Sequence, residues 1–195
     1  MRCFRLLAIF PLCLGIGGPA PPLRGAQQSI EVQTLFRQLE STETTDSATE
    51  KLLKLSESDP RARQYLAGKL PSMIERGPAD SHPWNNAVQL AGHLKIAEAA
   101  PALVRWIGKG ARGTFTLTDT IRLRDNPTAK ALVEIGDPSL PRLAPVLQRG
   151  NLAERWDAAL VLYNIDTQGA KEILRNHLER ETDESLRSFI KNSLD

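Results

Sequence analysis

Apolar side chains recur every three or four residues from Ser29 almost to the end of the chain, in runs punctuated by glycine, proline and aspartate. Residues at i, i+3 and i+4 share one side of an α-helix, whereas a half-buried strand would alternate with period two. The spacing therefore predicts an all-α fold. Val32, Leu35, Phe36 and Leu39 predict a first helix over 29–40, followed by a polar, threonine-rich break ending at Thr45. Asp46-Ser47 with Glu50 three residues on predicts a helix start closed by a capping box, with Ala48, Leu52, Leu53 and Leu55 as its buried face. Asp59-Pro60 opens the next helix, because a proline in the first turn lacks an N–H that would have no partner there. Its stripe is Ala62, Tyr65, Leu66, Leu70, Met73 and Ile74; a bend is predicted at Pro71 and a stop at Gly77-Pro78.

The pattern then repeats. Trp84, Ala87, Leu90, Ala91 and Leu94 form one face; Ala99, Leu103, Val104 and Ile107 form the next, ending at Gly108. Ala129, Leu132, Val133 and Ile135 lead through Gly136-Asp137-Pro138 to Leu140, Leu143, Val146 and Leu147. Trp156, Ala159, Leu160, Leu162 and Ile165 lead through Asp166 to Ala170, Ile173, Leu174 and Leu178, and Leu186, Phe189, Ile190 and Leu194 form the last stripe. Ala129 aligns with Ala159 and Ile135 with Ile165 at a shift of 30 residues; Leu103 aligns with Leu143 and Ile107 with Leu147 at a shift of 40. The longer shift marks an insertion between the two units.

A helix pair repeated every 30–45 residues or so is the sequence mark of an α-solenoid, since each pair leaves apolar surface that only a neighbour can cover. The run from Ala129 to Pro138, followed by Leu143-Ala144-Pro145-Val146-Leu147, resembles a HEAT or HEAT-like repeat of the armadillo type. The pattern returns in 87–107 and more faintly in 158–178, and the resemblance spans residues 46–194. It implies an α-solenoid of about four antiparallel helix pairs forming a superhelix, and implies almost nothing about activity, because the shared residues are packing residues. The first unit has Ser56-Glu57-Ser58 where the others place an apolar residue before the turn, so it reads alternatively as an N-terminal cap. An irregular helical bundle is the other all-α reading. HEAT-like repeats are also similar to those of phycobilin lyases, a reading opposed by the absence of cysteine beyond residue 26.

Residues 1–26 follow a different grammar. A basic start with Arg2 and Arg5, an apolar run from Leu6 to Ile16 and a small-residue exit ending at Ala26 match a secretory signal peptide. The run is shorter than the roughly 20 residues that span a bilayer. Cleavage after Ala26 is expected, which places the mature chain outside the cytoplasm, in a periplasm or the extracellular medium. The absence of an open Asn-x-Ser/Thr acceptor, Asn126-Pro127-Thr128 being blocked by its proline, favours a bacterial source. Of the 25 lysines and arginines of the 195-residue chain, Arg2, Arg5 and Arg24 fall in this segment, leaving 22 basic against 23 acidic residues. A mature chain near neutrality has no basic field to draw it to nucleic acid. Both cysteines, Cys3 and Cys13, lie in the same segment, so the mature chain has no disulfide, thiolate ligand or cysteine nucleophile. The organisation expected is thus signal peptide 1–26, N-terminal helix and polar linker 27–45, and repeat domain 46–195.

Residues 108–127 break the helical period. Thr114 to Thr118 and Ile121 to Arg124 alternate polar and apolar, which predicts a short hairpin or extended loop inserted between helix pairs. Arg105, Lys109, Arg112, Arg122 and Arg124 face a single acid, Asp119, within 105–124. Long aperiodic loops often carry function, and aromatic and arginine side chains concentrate binding energy. The expected contact residues are therefore Trp106, Lys109, Arg112, Phe115, Arg122 and Arg124. The alternative is that Phe115, Leu117, Ile121 and Leu123 fold back over a repeat edge.

Sites for chemistry are sparse. His82, His93 and His177 are the only histidines, and none has a second histidine at ligand spacing. His93 is expected in a helix, packed or at a surface groove. His177 and Glu181, one turn apart, are expected as a solvent-facing pair, and Glu181, Asp183 and Glu184 as carboxylates of a polar linker with ordinary acidity. No nucleophile elbow, Ser-x-x-Lys signature or phosphate-binding loop occurs, and no cofactor or metal is expected. These features predict a non-catalytic protein-interaction or scaffold module that binds a protein or acidic peptide through a concave face and the 108–127 segment. A hydrolase or lyase with an unrecognised site and a structural spacer are the alternatives.

Overall fold

The computed structural model describes residues 24–77, 81–109, 123 and 126–194, the first six of these by their backbone alone. Every regular element among the described residues is helical. In order they are α1 (Arg24–Leu39), α2 (Thr45–Ser58), α3 (Pro60–Arg76), α4 (His82–His93), α5 (Ala100–Val104), α6 (Pro127–Ile135), α7 (Leu140–Arg149), α8 (Leu152–Ile165), α9 (Gln168–Leu178) and α10 (Glu184–Asn192). Short 3-10 turns, Ala97–Ala99 and Asp137–Ser139, lead into α5 and α7.

Local chemistry sets most helix starts. The first N–H groups of a helix have no partner within it, so a side-chain oxygen just before the start accepts from one. Asp59, Ser81, Asn126, Asn151, Thr167 and Asp183 do this for α3, α4, α6, α8, α9 and α10. Asn151 and Glu154 form a full capping box. The box expected at Asp46-Ser47 is absent: α2 begins at Thr45, already past its start at those residues, and Thr44 makes no side-chain cap, its hydroxyl donating to the Gln38 carbonyl at 2.7 Å. Asp46 reaches α4 instead. Pro71 lies inside α3 and does not end it. Asn126 and Pro127, assigned by the sequence to the insertion, are the cap and first residue of α6.

One continuous apolar core joins the helices. The stripes hold in part: Leu53, Leu55, Tyr65, Val104 and Val146 are among members only half-buried at its margin, and the inner line of α2 is Thr45, Ala48, Leu52 and Ser56. In α8 the buried face is Asp157, Ala158, Val161 and Leu162, with Ala159, while Trp156, Leu160 and Ile165 of the expected stripe are only half-buried, because the helix is enclosed on more than one side. Contacts link α2 with α4, α4 with α6 and α6 with α8; a second series links α3 with α5, α5 with α7 and α7 with α9. Helix α1 packs on α2 and α3 at one end, and α10 on α9 at the other. The α4–α6 contact is close because Gly92 has no side chain: a Cβ there would lie 2.8 Å from the Ala131 Cα.

The turn from α4 to α5 passes through Lys95 at φ 50°, that from α6 to α7 through Gly136 at φ 78°, and that from α8 to α9 through Asp166 at φ 52°. Left-handed backbone at a helix end redirects the chain sharply; glycine takes it without strain, and other residues at some cost. Thr167, just after the third of these turns, donates its hydroxyl to Asp137, just after the second, at 2.6 Å.

Candidate partner-binding groove

The groove is assembled around the last turn of α3. A helix leaves its final carbonyls short of partners, and that of Ile74 receives from the backbone only the long 3.4 Å bond of the Gly77 N–H. The indole Nε1–H of Trp84, at the start of α4, and that of Trp106, in the turn after α5, both donate to this oxygen at 2.9 Å. The two rings meet edge to face, 5.7 Å apart. Trp84 is buried and Trp106 half-buried, so one side of the Trp106 ring faces an open cavity.

That cavity has a volume of about 560 Å³ and is lined by Ser72, Glu75, Arg76, Arg105, Trp106 and Lys109. The Lys109 ammonium sits 5.9 Å from the Trp106 ring centre, at the range of a cation–π contact. Arg105 is ion-paired with Glu75, and Arg76 with Glu40 at 3.0 Å; all four side chains are substantially exposed. A second cavity of about 380 Å³, whose walls include Met73, Pro83, Trp84 and Glu40, adjoins the first at Arg76, which lines both. The combination of three cations, one acid and an aromatic wall suits a ligand with negative charge and some apolar surface. The described lining holds no histidine.

Of the six expected contact residues, Trp106 and Lys109 lie on this groove. Arg112, Phe115, Arg122 and Arg124 lie outside the described residues, as does most of the expected hairpin. Leu123 is half-buried against the core. The sequence reading passed over Arg76, Glu75 and Ser72. Their one available signal was position: a helix ending at Gly77 places its last turn beside whatever follows Trp84 and Leu103.

The histidines and acidic groups are engaged elsewhere. His82 Nε2 lies 2.8 Å from Asp46 Oδ1, to which the buried Asn86 amide also donates at 2.7 Å. Those hydrogen bonds, from Asn86 first, hold the Asp46 carboxyl below its usual value. His93 is exposed, with Nδ1 3.2 Å from Glu134.

The expectation for His177 and Glu181 is overturned: both are buried, with His177 Nε2 2.7 Å from Glu181 Oε2. Arg155 of α8 grips the same carboxylate with two parallel bonds of 3.0 Å, and the backbone N–H groups of Thr182 and Asp183 donate to it at 2.9 Å. Burial alone would raise its pKa, but Arg155, the Asp183 N–H and His177 outweigh that and hold the pKa at about 2. Asp157 of α8 is shifted the other way. It is buried, and burial, only partly offset by the Gly108 N–H and the Asn126 amide, raises its pKa.

Among the described residues, no group of three or more metal-ligating side chains converges, and no helix is long and apolar enough to cross a membrane. The chain matches no family model, no curated protein and no solved structure.

Proposed function

We propose that this protein is an exported, non-catalytic interaction module, built as a HEAT-like solenoid of about four helix pairs. It holds a protein or peptide partner through its concave face at the Trp106–Lys109 groove, with the 108–127 segment as a further part of the contact. The solenoid reading is supported by the two parallel series of helix contacts. It is supported also by the left-handed turns at Lys95, Gly136 and Asp166, whose separations of 41 and 30 residues follow the sequence shifts. The export reading is supported by residues 1–26: cutting after Ala26 removes only the first turn of α1 and spares Val32, Leu35, Phe36 and Leu39, all buried.

The observation that carries the binding reading is the groove itself, where Arg76, Arg105 and Lys109 surround an exposed face of Trp106. Against the enzyme reading stands the use of the best acid–base pair. His177 and Glu181 are enclosed between α8, α9 and the turn to α10, and the carboxylate oxygens accept five hydrogen bonds that fix the fold.

Immobilised mature protein, exposed to an extract of the cell envelope, tests this beside a variant carrying Arg105→Glu and Lys109→Glu. A partner retained by the wild type and lost by the variant is the expected result. Equal retention by both removes the groove from the contact. A substrate screen that yields turnover, with no partner retained, overturns the module reading.

A further inference from the structure

We propose that Glu75 and Glu40 act as internal stand-ins for the partner's carboxylates. In the free protein they occupy Arg105 and Arg76, and an extended acidic segment of the partner displaces them when it enters the groove. The inference rests on the groove reading above and adds how the site is filled when empty and what exchanges on binding.

Three observations support it. First, the cations of the groove are not idle: Arg105 is held by Glu75 from the last turn of α3, and Arg76 by Glu40, just past α1. Second, the pairs are solvent-exposed, Arg105 and Glu75 by 67% and 53% and Arg76 and Glu40 by 66% and 43%. Exposed pairs are weakly held and readily re-formed with another carboxylate, because water screens them and both side chains regain freedom when they part. Third, Arg76 lines both cavities, so a segment crossing it passes from the Trp106 face, with Lys109 beside it, to the wall formed by Met73, Pro83 and Trp84. A ligand of that form gains two guanidinium contacts and an aromatic surface and leaves Glu75 and Glu40 in water, where a free carboxylate is fully solvated. The exchange conserves the number of ion pairs on the arginines. Selectivity for acidic over neutral segments follows, since a neutral one would break the pairs without replacing them.

The exchange makes removal of an acidic wall residue a gain of function. A fluorescein-labelled peptide of alternating Glu and Gly, with the Gln–Gly peptide as control, is titrated by anisotropy against the mature protein and variants of unchanged circular dichroism. Glu75→Gln is expected to tighten the Glu–Gly peptide about twofold to fivefold, the range of an exposed ion pair. Glu40→Gln adds to it, while Glu172→Gln, the same charge change on the exposed face of α9, leaves binding unchanged. Arg105→Gln with Lys109→Gln weakens binding about tenfold or more, and raising salt weakens it for every form.

If Glu75→Gln binds no tighter than wild type while the Arg105–Lys109 variant still binds less, the exchange is wrong and the groove stands as the binding site. If Glu172→Gln tightens binding as much as Glu75→Gln, the effect is net charge and the exchange is wrong. If no form binds the acidic peptide, both the exchange and the acidic partner are wrong.

Discussion

Asn126, the cap of α6, donates its side-chain amide to Asp157, in the middle of α8, over 2.8 Å. The receiving atom, Oδ2, also accepts the Gly108 N–H at 2.9 Å, while Oδ1 is buried with no partner among the described residues. The other end of the Asn126 amide accepts from Ala129, so one side chain starts α6 and ties it to α8. The residues on either flank of the 109–125 stretch are thereby fixed to a single oxygen atom.

That geometry predicts an asymmetric response at position 157. Asp157→Asn keeps an oxygen for both donors and removes a buried charge but puts its NH2 at the buried Oδ1 position, so by urea unfolding near neutral pH it should cost about 1 kcal/mol, less than alanine. Asp157→Ala strands two donors and should cost about 2–3 kcal/mol. The raised native pKa means that the folded state holds this proton more tightly than the unfolded one. The Asp157 contribution therefore falls as pH rises from about 4 through the raised value, and wild type should lose ground to Asp157→Asn across that range. Both donors sit on Oδ2, so a proton taken by Oδ1 leaves them their acceptor, and acid should not detach them.

Glu181 predicts the opposite slope. Its carboxyl is held at about 2 against an ordinary 4.5, so its stabilisation is complete above about pH 4.5 and is lost as pH falls toward 2. Glu181→Gln should flatten that acid limb in a series of urea midpoints. Arg155→Met leaves the carboxylate buried without its main partner and should cost about 3–5 kcal/mol. Removing the exposed Arg105–Glu75 pair should cost about 0–1 kcal/mol.

Two glycines inside helices should respond in opposite senses. At Gly92 an added Cβ would come within 2.4 Å of Glu134 Oε2 and 2.8 Å of the Ala131 Cα, and the backbone contact cannot yield as a flexible side chain can. Gly92→Ala should force α4 and α6 apart and lower stability by about 1–3 kcal/mol. Gly68 in α3 has nothing within 4 Å, so Gly68→Ala should raise stability by about 0.4–1 kcal/mol through the unfolded chain's lost freedom. Paired thermal melts check both.

Gly108 and Gly136 separate strain from collision. Both have positive φ, 73° and 78°, but a Cβ at Gly108 would lie 3.0 Å from the Glu154 backbone nitrogen, while at Gly136 it would meet nothing. Gly136→Ala should cost about 1–3 kcal/mol from the backbone alone, since φ 78° with ψ −142° is a conformation close to glycine-only. Gly108→Ala should cost more, and by crowding Glu154 should also disturb the start of α8, visible as faster amide exchange there.

The helices, their starts at proline and their buried stripes were legible because each depends on residues within one or two turns. Trp84, Leu90, Leu132, Leu143 and Leu162 are inside, as their spacing required. The misreadings involve polar side chains. Asp46 stands where the sequence expects a helix start but spends its carboxylate on Asn86 and His82, and Glu181 looks like linker yet is buried under Arg155 from 26 residues away. A polar residue is satisfied by whatever donor stands beside it, and periodicity says nothing about donors on another helix. Trp106 and Lys109 stand out in the sequence because aromatic and basic residues cluster there; Arg76 and Glu75 line the same cavity only because α3 ends beside the turn after α5.

By itself the sequence determined that the described residues are helical and where most apolar faces lie, since both follow from a 3.6-residue period and the conformational limits of glycine and proline. Only the tertiary structure decided which helices touch, where the buried carboxylates find their donors, and that two indoles share the Ile74 carbonyl to open a charged groove. Those outcomes depend on pairs of residues far apart in the chain, whose interaction energies exist only once the core has brought them within a few ångströms.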